Sequence, residues 1–187
     1  MHVKCTEPMK FIRGFALALI VTYSTTAFAY DPVDCLNDAA KVDSEITMGL
    51  AVRLCSGTWT PGPAKCYQNV SKIDGGIPRG IAIDLCAGTV SSEYDPVDCL
   101  NDVAKVDSKI IMGLATRLCS GAWTPEPVKC YQNISEIDDG IPRGIAIDLC
   151  AGTVSSEKTL ECYSKAATRK MSRGLATTLC GAKKPVN

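Results

Sequence analysis

The sequence predicts an all-α fold: a solenoid-like tandem array of five disulfide-clamped helical hairpins. Three observations predict it. Cysteines recur in pairs of nearly constant spacing, the pairs repeat with a period near 32 residues, and the arms between them carry apolar residues at helical spacing. The pairs are Cys35/Cys55, Cys66/Cys86, Cys99/Cys119, Cys130/Cys150 and Cys162/Cys180, four of them 20 residues apart and the last 18. A period of this length is the signature of arrays in which each unit is one helical hairpin.

Residues 1–29 read as an export signal. Lys10 and Arg13 form a basic start, Phe15 to Val21 an apolar run, and Ala27-Phe28-Ala29 a small-residue cleavage site. The run is much shorter than the roughly 20 residues that cross a bilayer. Met9 offers a second start, and a chain begun there lacks Cys5. Cleavage after Ala29 leaves ten cysteines, no transmembrane span, and 17 Lys+Arg against 19 Asp+Glu. An even cysteine count in an exported chain points to disulfides and to a secreted or periplasmic location. Zinc is the rival, but the closest of these cysteines, Cys55 and Cys66, are eleven apart, and the only histidine is His2. No metal or cofactor is expected.

The units follow in order as 30–65, 66–94, 95–129, 130–158 and 159–187. Asp31–Tyr94 recurs as Asp95–Lys158 with 53 of 64 positions identical, so units 1 and 2 are duplicated as units 3 and 4. In unit 2 the arm CYQNVSKI meets the break Asp74-Gly75-Gly76, and Pro78 opens the second arm. Ile77, Ile81 and Leu85, with Ala82 and Cys86, make one apolar helix face, with Arg79 on the other side. Gly57 and Gly88 follow the second cysteines, where a left-handed helix cap is expected.

Cys35 lies about eight residues before the break near Asp43-Ser44, and Cys55 about eight residues after the second arm begins. At about 1.5 Å per residue, both sit roughly 12 Å from the turn on opposite arms. The spacing therefore predicts a clamp within each unit, against the rival of links between units such as Cys55–Cys66. The fifth unit lacks two residues, which alignment removes at the turn around Lys170-Met171. Clamps are needed because a 32-residue hairpin cannot bury enough apolar surface to hold itself together. Each closed loop of about 20 residues contributes about 3 kcal/mol in the chain-entropy model.

Every second arm carries a glycine: Gly49, Gly80, Gly113, Gly144 and Gly174. Glycine in a helix costs about 1 kcal/mol relative to alanine, so a close neighbour is expected at each; inheritance from one ancestral unit is the alternative. The two halves also compare positions. Ala39/Val103, Ala64/Val128 and Val70/Ile134 stay apolar, as packed sites do. Glu45/Lys109 and Lys72/Glu136 reverse charge, as solvated sites do, and Gly75/Asp139 lies in a turn. The array loosely resembles disulfide-bearing helical-hairpin repeats of the Sel1-like kind. Their cysteines are more closely spaced, and no residue role is carried over.

Catalytic inventory is thin. Without histidine after residue 29, Ser–His–Asp and Cys–His arrangements are excluded there, and paired cysteines supply no thiolate. Asp138-Asp139 adjoins Gly140 without the alternating acids of a calcium loop and reads as a turn. The expectation is a non-enzyme. Trp59 and Trp123, each in a Trp-Thr-Pro linker, are expected to plug the gaps between units, with exposed partner anchors as the functional alternative. Arg79/Arg143 and Asp84/Asp148 lie in stretches identical in both halves, which either duplication or a repeated binding face explains. Asn69-Val70-Ser71 and Asn133-Ile134-Ser135 match the glycosylation pattern but fall on an expected helix.

A near-neutral chain with one basic end, six basic residues against Glu161 from Thr159 onward, is not a nucleic-acid binder. These features suggest an exported binding or scaffolding protein with a protein or surface-glycan ligand. A secreted inhibitor or toxin-like effector is the alternative, and a carboxylate-based enzyme ranks behind both.

Overall fold

Asp-Pro opens the first helix of each half, and the chemistry of that pair fixes where the helix starts. The Asp31 carboxylate accepts the Val33 and Asp34 N–H groups at 2.7 and 3.0 Å, and Asp34 reaches back to the Asp31 N–H at 3.1 Å. Pro32 takes the first helical position, where its missing N–H costs nothing. The helix α1 that follows is Pro32–Val42. The same box at Asp95 and Asp98 starts α5, Pro96–Val106.

The computed structural model describes residues 30–73, 76–90 and 93–182. The expected export signal at 1–29, the residues Asp74 and Gly75 of the expected break, and the final lysines Lys183 and Lys184 lie outside the described residues. The remaining helices are α2 (Met48–Cys55), α3 (Gly62–Val70), α4 (Arg79–Cys86), α6 (Met112–Cys119), α7 (Glu126–Ile137), α8 (Arg143–Cys150), α9 (Ser156–Thr168) and α10 (Arg173–Cys180). Among the described residues every regular element is helical. The protein is a disulfide-clamped helical repeat array.

Five disulfides join the two helices of each hairpin: Cys35–Cys55, Cys66–Cys86, Cys99–Cys119, Cys130–Cys150 and Cys162–Cys180, with Cα atoms 5.5–5.6 Å apart. The links between units are thereby excluded. The second helix of each of the first four hairpins ends on a left-handed glycine, Gly57, Gly88, Gly121 or Gly152. In the fifth, one residue is lost from α9 and one from the connection, and Lys170 takes the left-handed position at φ 60°. Both cysteines stay level as a result. Helices α3, α7 and α9 begin a few residues ahead of their cysteines, at Gly62, Glu126 and Ser156.

The helices form two layers. The first helices, α1, α3, α5, α7 and α9, stack side by side, and the second helices do the same. Between them lies one continuous core of small aliphatics and sulfur, including Ala39, Val70, Val103, Ile134, Tyr163 and the first eight of the paired cysteines. Ala39/Val103, Ala64/Val128 and Val70/Ile134 are all buried, and Glu45, Lys109, Lys72 and Glu136 are all exposed.

Successive second helices pack through two positions. The leucine before the second cysteine (Leu54, Leu85, Leu118, Leu149) is sealed by the next unit, while Ile83, Thr116 and Ile147, two positions earlier, face the preceding one. The burial of Ile83 widens the expected face of α4, since every interior hairpin is covered on both sides.

The glycine expectation is corrected. A Cβ built at Gly49, Gly80, Gly113, Gly144 or Gly174 meets nothing within 4 Å. These residues lie on the open side of the second layer, so no neighbour demands their lack of a side chain. Close approach occurs instead at Gly62, where a Cβ would stand 2.3 Å from the Thr89 carbonyl oxygen.

Candidate functional site

The Trp-Thr-Pro linkers leave the second helices at fixed turns. Gly57 sends the chain out of α2, and the Thr58 hydroxyl donates to the Thr60 carbonyl at 3.0 Å, closing a tight turn around Trp59. Thr58 itself is buried, as is Ala122 at the equivalent place. The indoles are not: Trp59 is 70% exposed and Trp123 47%. This corrects the expected plug. Leucines, isoleucines and cystines already close the gaps between units, and the residue before each indole takes the buried place.

Trp123 stands at the rim of a groove of about 600 Å³. The groove crosses the second layer at the ends of its helices. Its floor is small, from Ala87, Gly88, Ala151 and Gly152, so a ligand's backbone can approach closely, and Val90 adds an exposed apolar edge. Trp59 lies outside this lining.

Charge along the same layer alternates. Arg53, Asp84, Arg117 and Asp148 occupy one position in α2, α4, α6 and α8. Arg53 pairs with Asp84, and Arg117 with Asp148. The Ser120 hydroxyl donates to the Asp84 backbone carbonyl across the middle of this row. Asp84 and Asp148 therefore serve the seams between units, with about half of each side chain open to solvent.

Arg79 and Arg143 are similarly engaged. Arg79 Nε lies 2.7 Å from Asp43, the residue that ends α1, and the Tyr67 hydroxyl donates to the same carboxylate at 2.7 Å. Arg143, Tyr131 and Asp107 repeat this at 3.0 and 2.8 Å, and Arg173, Tyr163 and Asp138 at 2.7 and 3.0 Å. Each trio spans two units. Burial pushes the Asp43 carboxyl up, but the Tyr67 hydroxyl, the Glu45 N–H and the Arg79 guanidinium outweigh it and hold it below the usual range. At Asp138 the Arg173 guanidinium leads the same lowering. Burial, then the facing carboxylate, pushes Tyr67, Tyr131 and Tyr163 up.

The middle seam has no such trio. Unit 3 carries Leu100 and Met112 where units 2, 4 and 5 carry tyrosine and arginine. There the Asn69 amide donates to Asp95 at 2.9 Å instead, so the asparagine of the first glycosylation pattern holds a helix cap.

Compared with protein-family models, with curated proteins and with solved structures, the chain matches none.

Among the described residues no group of three or more His, Cys, Asp and Glu side chains is placed to hold a metal ion, and no helix is long and apolar enough to cross a membrane. The disulfide-rich helical fold fits an extracellular protein.

Sequence reasoning missed the trios, yet a signal was present. Where tyrosine follows the first cysteine of a unit (Tyr67, Tyr131, Tyr163), arginine precedes the second-arm glycine. Where leucine follows (Leu36, Leu100), methionine does. That coupled choice marks two side chains sharing one partner.

Proposed function

We propose that this is an exported, non-enzymatic binding or scaffolding protein, and that the groove beside Trp123 takes an extended segment of a protein partner. The observation that carries the reading is the exposed indole at the rim of a groove floored by alanine and glycine. Tryptophan is among the residues that dominate binding energy when a partner covers them. The small floor suits a polypeptide backbone, and the alternating charges of Arg53, Asp84 and Arg117 on the groove wall give it polar partners.

A displayed library of random peptides, panned on the oxidised chain, tests this. Selected peptides bind the parent, and Trp123→Ala weakens them by about tenfold or more while the helical circular dichroism is unchanged. Peptides indifferent to Trp123→Ala, or a groove that selects only oligosaccharides from a glycan array, overturn the polypeptide reading.

A further inference from the structure

The two ends of the array differ from its interior in one respect: each presents a packing face that every interior unit has covered. Unit 1 is a near-copy of unit 3, and Asp31, Pro32, Val33 and Leu36 repeat Asp95, Pro96, Val97 and Leu100. In unit 3, Pro96 and Leu100 are buried against unit 2 and Thr116 is 8% exposed. In unit 1, Pro32 and Leu36 are only partly covered, Val33 is open, and Val52, the counterpart of Thr116, is 46% exposed. At the other end, Leu149 is fully buried under unit 5, whereas its counterpart Leu179 is 63% exposed, with Leu175 open beside it. The cystine Cys162–Cys180 is partly open, while the other four are sealed. Arrays that stop as monomers ordinarily cap such faces with polar residues.

We propose that the trailing face of unit 5 receives the leading face of unit 1 from a second copy of this chain, so that copies join head to tail. The contact continues a seam already present. Unit 3 seats on unit 2 through the residues that unit 1 repeats, and Leu179 meeting Val52 reproduces the packing of Leu85 beneath unit 3.

Charge agrees with this pairing. At the leading end Asp31, Asp34 and Asp38 stand against Lys41, while Asp43, Glu45 and Arg53 already pair with unit 2 and Lys65 lies in α3. In the last helix pair, residues 156–182, Lys158, Lys165, Arg169 and Lys170 stand against Glu157 and Glu161, while Arg173 already pairs with Asp138 of unit 4. Register agrees too. Asn69, three residues after Cys66, donates to Asp95 at the middle seam. The residue three after Cys162 is Lys165, which the same register sets opposite Asp31 of the next copy. Leu36 and Met48 in unit 1 are the same residues that unit 3 carries, as Leu100 and Met112, where it seats on unit 2. A joint of this kind is heterologous, so it grows open chains or closes a ring.

Sedimentation velocity tests it, on the 187-residue chain and on a chain beginning at Tyr30, both oxidised and the first carrying Cys5→Ser. The chain beginning at Tyr30 sediments as a concentration-dependent series of oligomers, weakened by salt. Val52→Glu and Leu179→Glu, each alone, shift association to at least about tenfold higher concentration. An equimolar mixture of the two variants then forms dimers and nothing larger, because one intact face of each kind remains. A chain from Tyr30 that stays monomeric overturns the proposal, as does association found only with residues 1–29 present. So does a mixture no more associated than its components, or variants that self-associate as the parent does.

Discussion

The Asp43 carboxylate and the Arg79 guanidinium, 36 residues apart, meet at 2.7 Å across the seam between the first two hairpins. The disulfides close each hairpin on itself and do nothing to fix its neighbour. Seams must therefore be held by other means, and the Asp–Tyr–Arg trio is one polar contact that recurs at three of the four. Removing the Tyr67 hydroxyl tests this without creating a cavity. Tyr67→Phe lowers stability by about 1.5–3 kcal/mol in urea unfolding, the net worth of one hydrogen bond to a charged group. Unchanged stability would show the trio to be ornamental.

Acid weakens the seams. The carboxyls of Asp43 and Asp138 are held below their ordinary range, and Glu126 is lowered to about 2, first by the Lys129 ammonium, then by the backbone N–H and hydroxyl of Ser156. A carboxyl with a depressed folded pKa contributes stability above its unfolded value and loses it as pH falls through the folded value. Stability is then level near neutrality and falls as pH drops from about 4.5 toward 2. Glu126→Gln flattens that fall. A wild-type curve that is flat across this interval, or one that Glu126→Gln leaves unaltered, contradicts the assignment.

Glycine substitutions separate open positions from crowded ones. Gly80→Ala and Gly144→Ala each raise stability, by a few tenths to about 1 kcal/mol, because alanine is the better helix former and its methyl meets open space. Gly62→Ala lowers it by about 1–3 kcal/mol, since the methyl collides with the Thr89 backbone. Thermal unfolding of the three variants reads both signs, and a loss at Gly80 would mean that a neighbour does approach there.

Reduction proceeds from the open end. Cys162–Cys180 is partly exposed and the other four cystines are buried, so dilute phosphine reaches the fifth first. Alkylation and mass spectrometry of partly reduced protein will find labelled Cys162 and Cys180 ahead of the rest. Prior labelling at Cys66 or Cys130 would place the opening elsewhere.

The architecture was legible because it is written in spacing. Paired cysteines twenty apart, a break midway and a glycine after the second cysteine each constrain the chain locally, and Gly57 and Gly88 take the left-handed cap that their position implies. Charge reversals between the halves marked Glu45 and Lys72 as solvated for the same reason. What concerns one unit's relation to the next was harder to read. Trp59 looked like a plug because its burial depends on how much space the aliphatic seams leave, and they leave none. Gly80 looked crowded because cost alone was weighed, without knowing which side of α4 is open. Asp43 looked like a turn residue until the next hairpin brought Tyr67 and Arg79 to it.

Peptide mapping of the unreduced protein tests the central claim most directly. Digestion between the cysteines of neighbouring units should yield five separate cross-linked species, Cys35–Cys55, Cys66–Cys86, Cys99–Cys119, Cys130–Cys150 and Cys162–Cys180. A fragment joining Cys55 to Cys66, or any other bridge from one hairpin to the next, would contradict the array of individually clamped units.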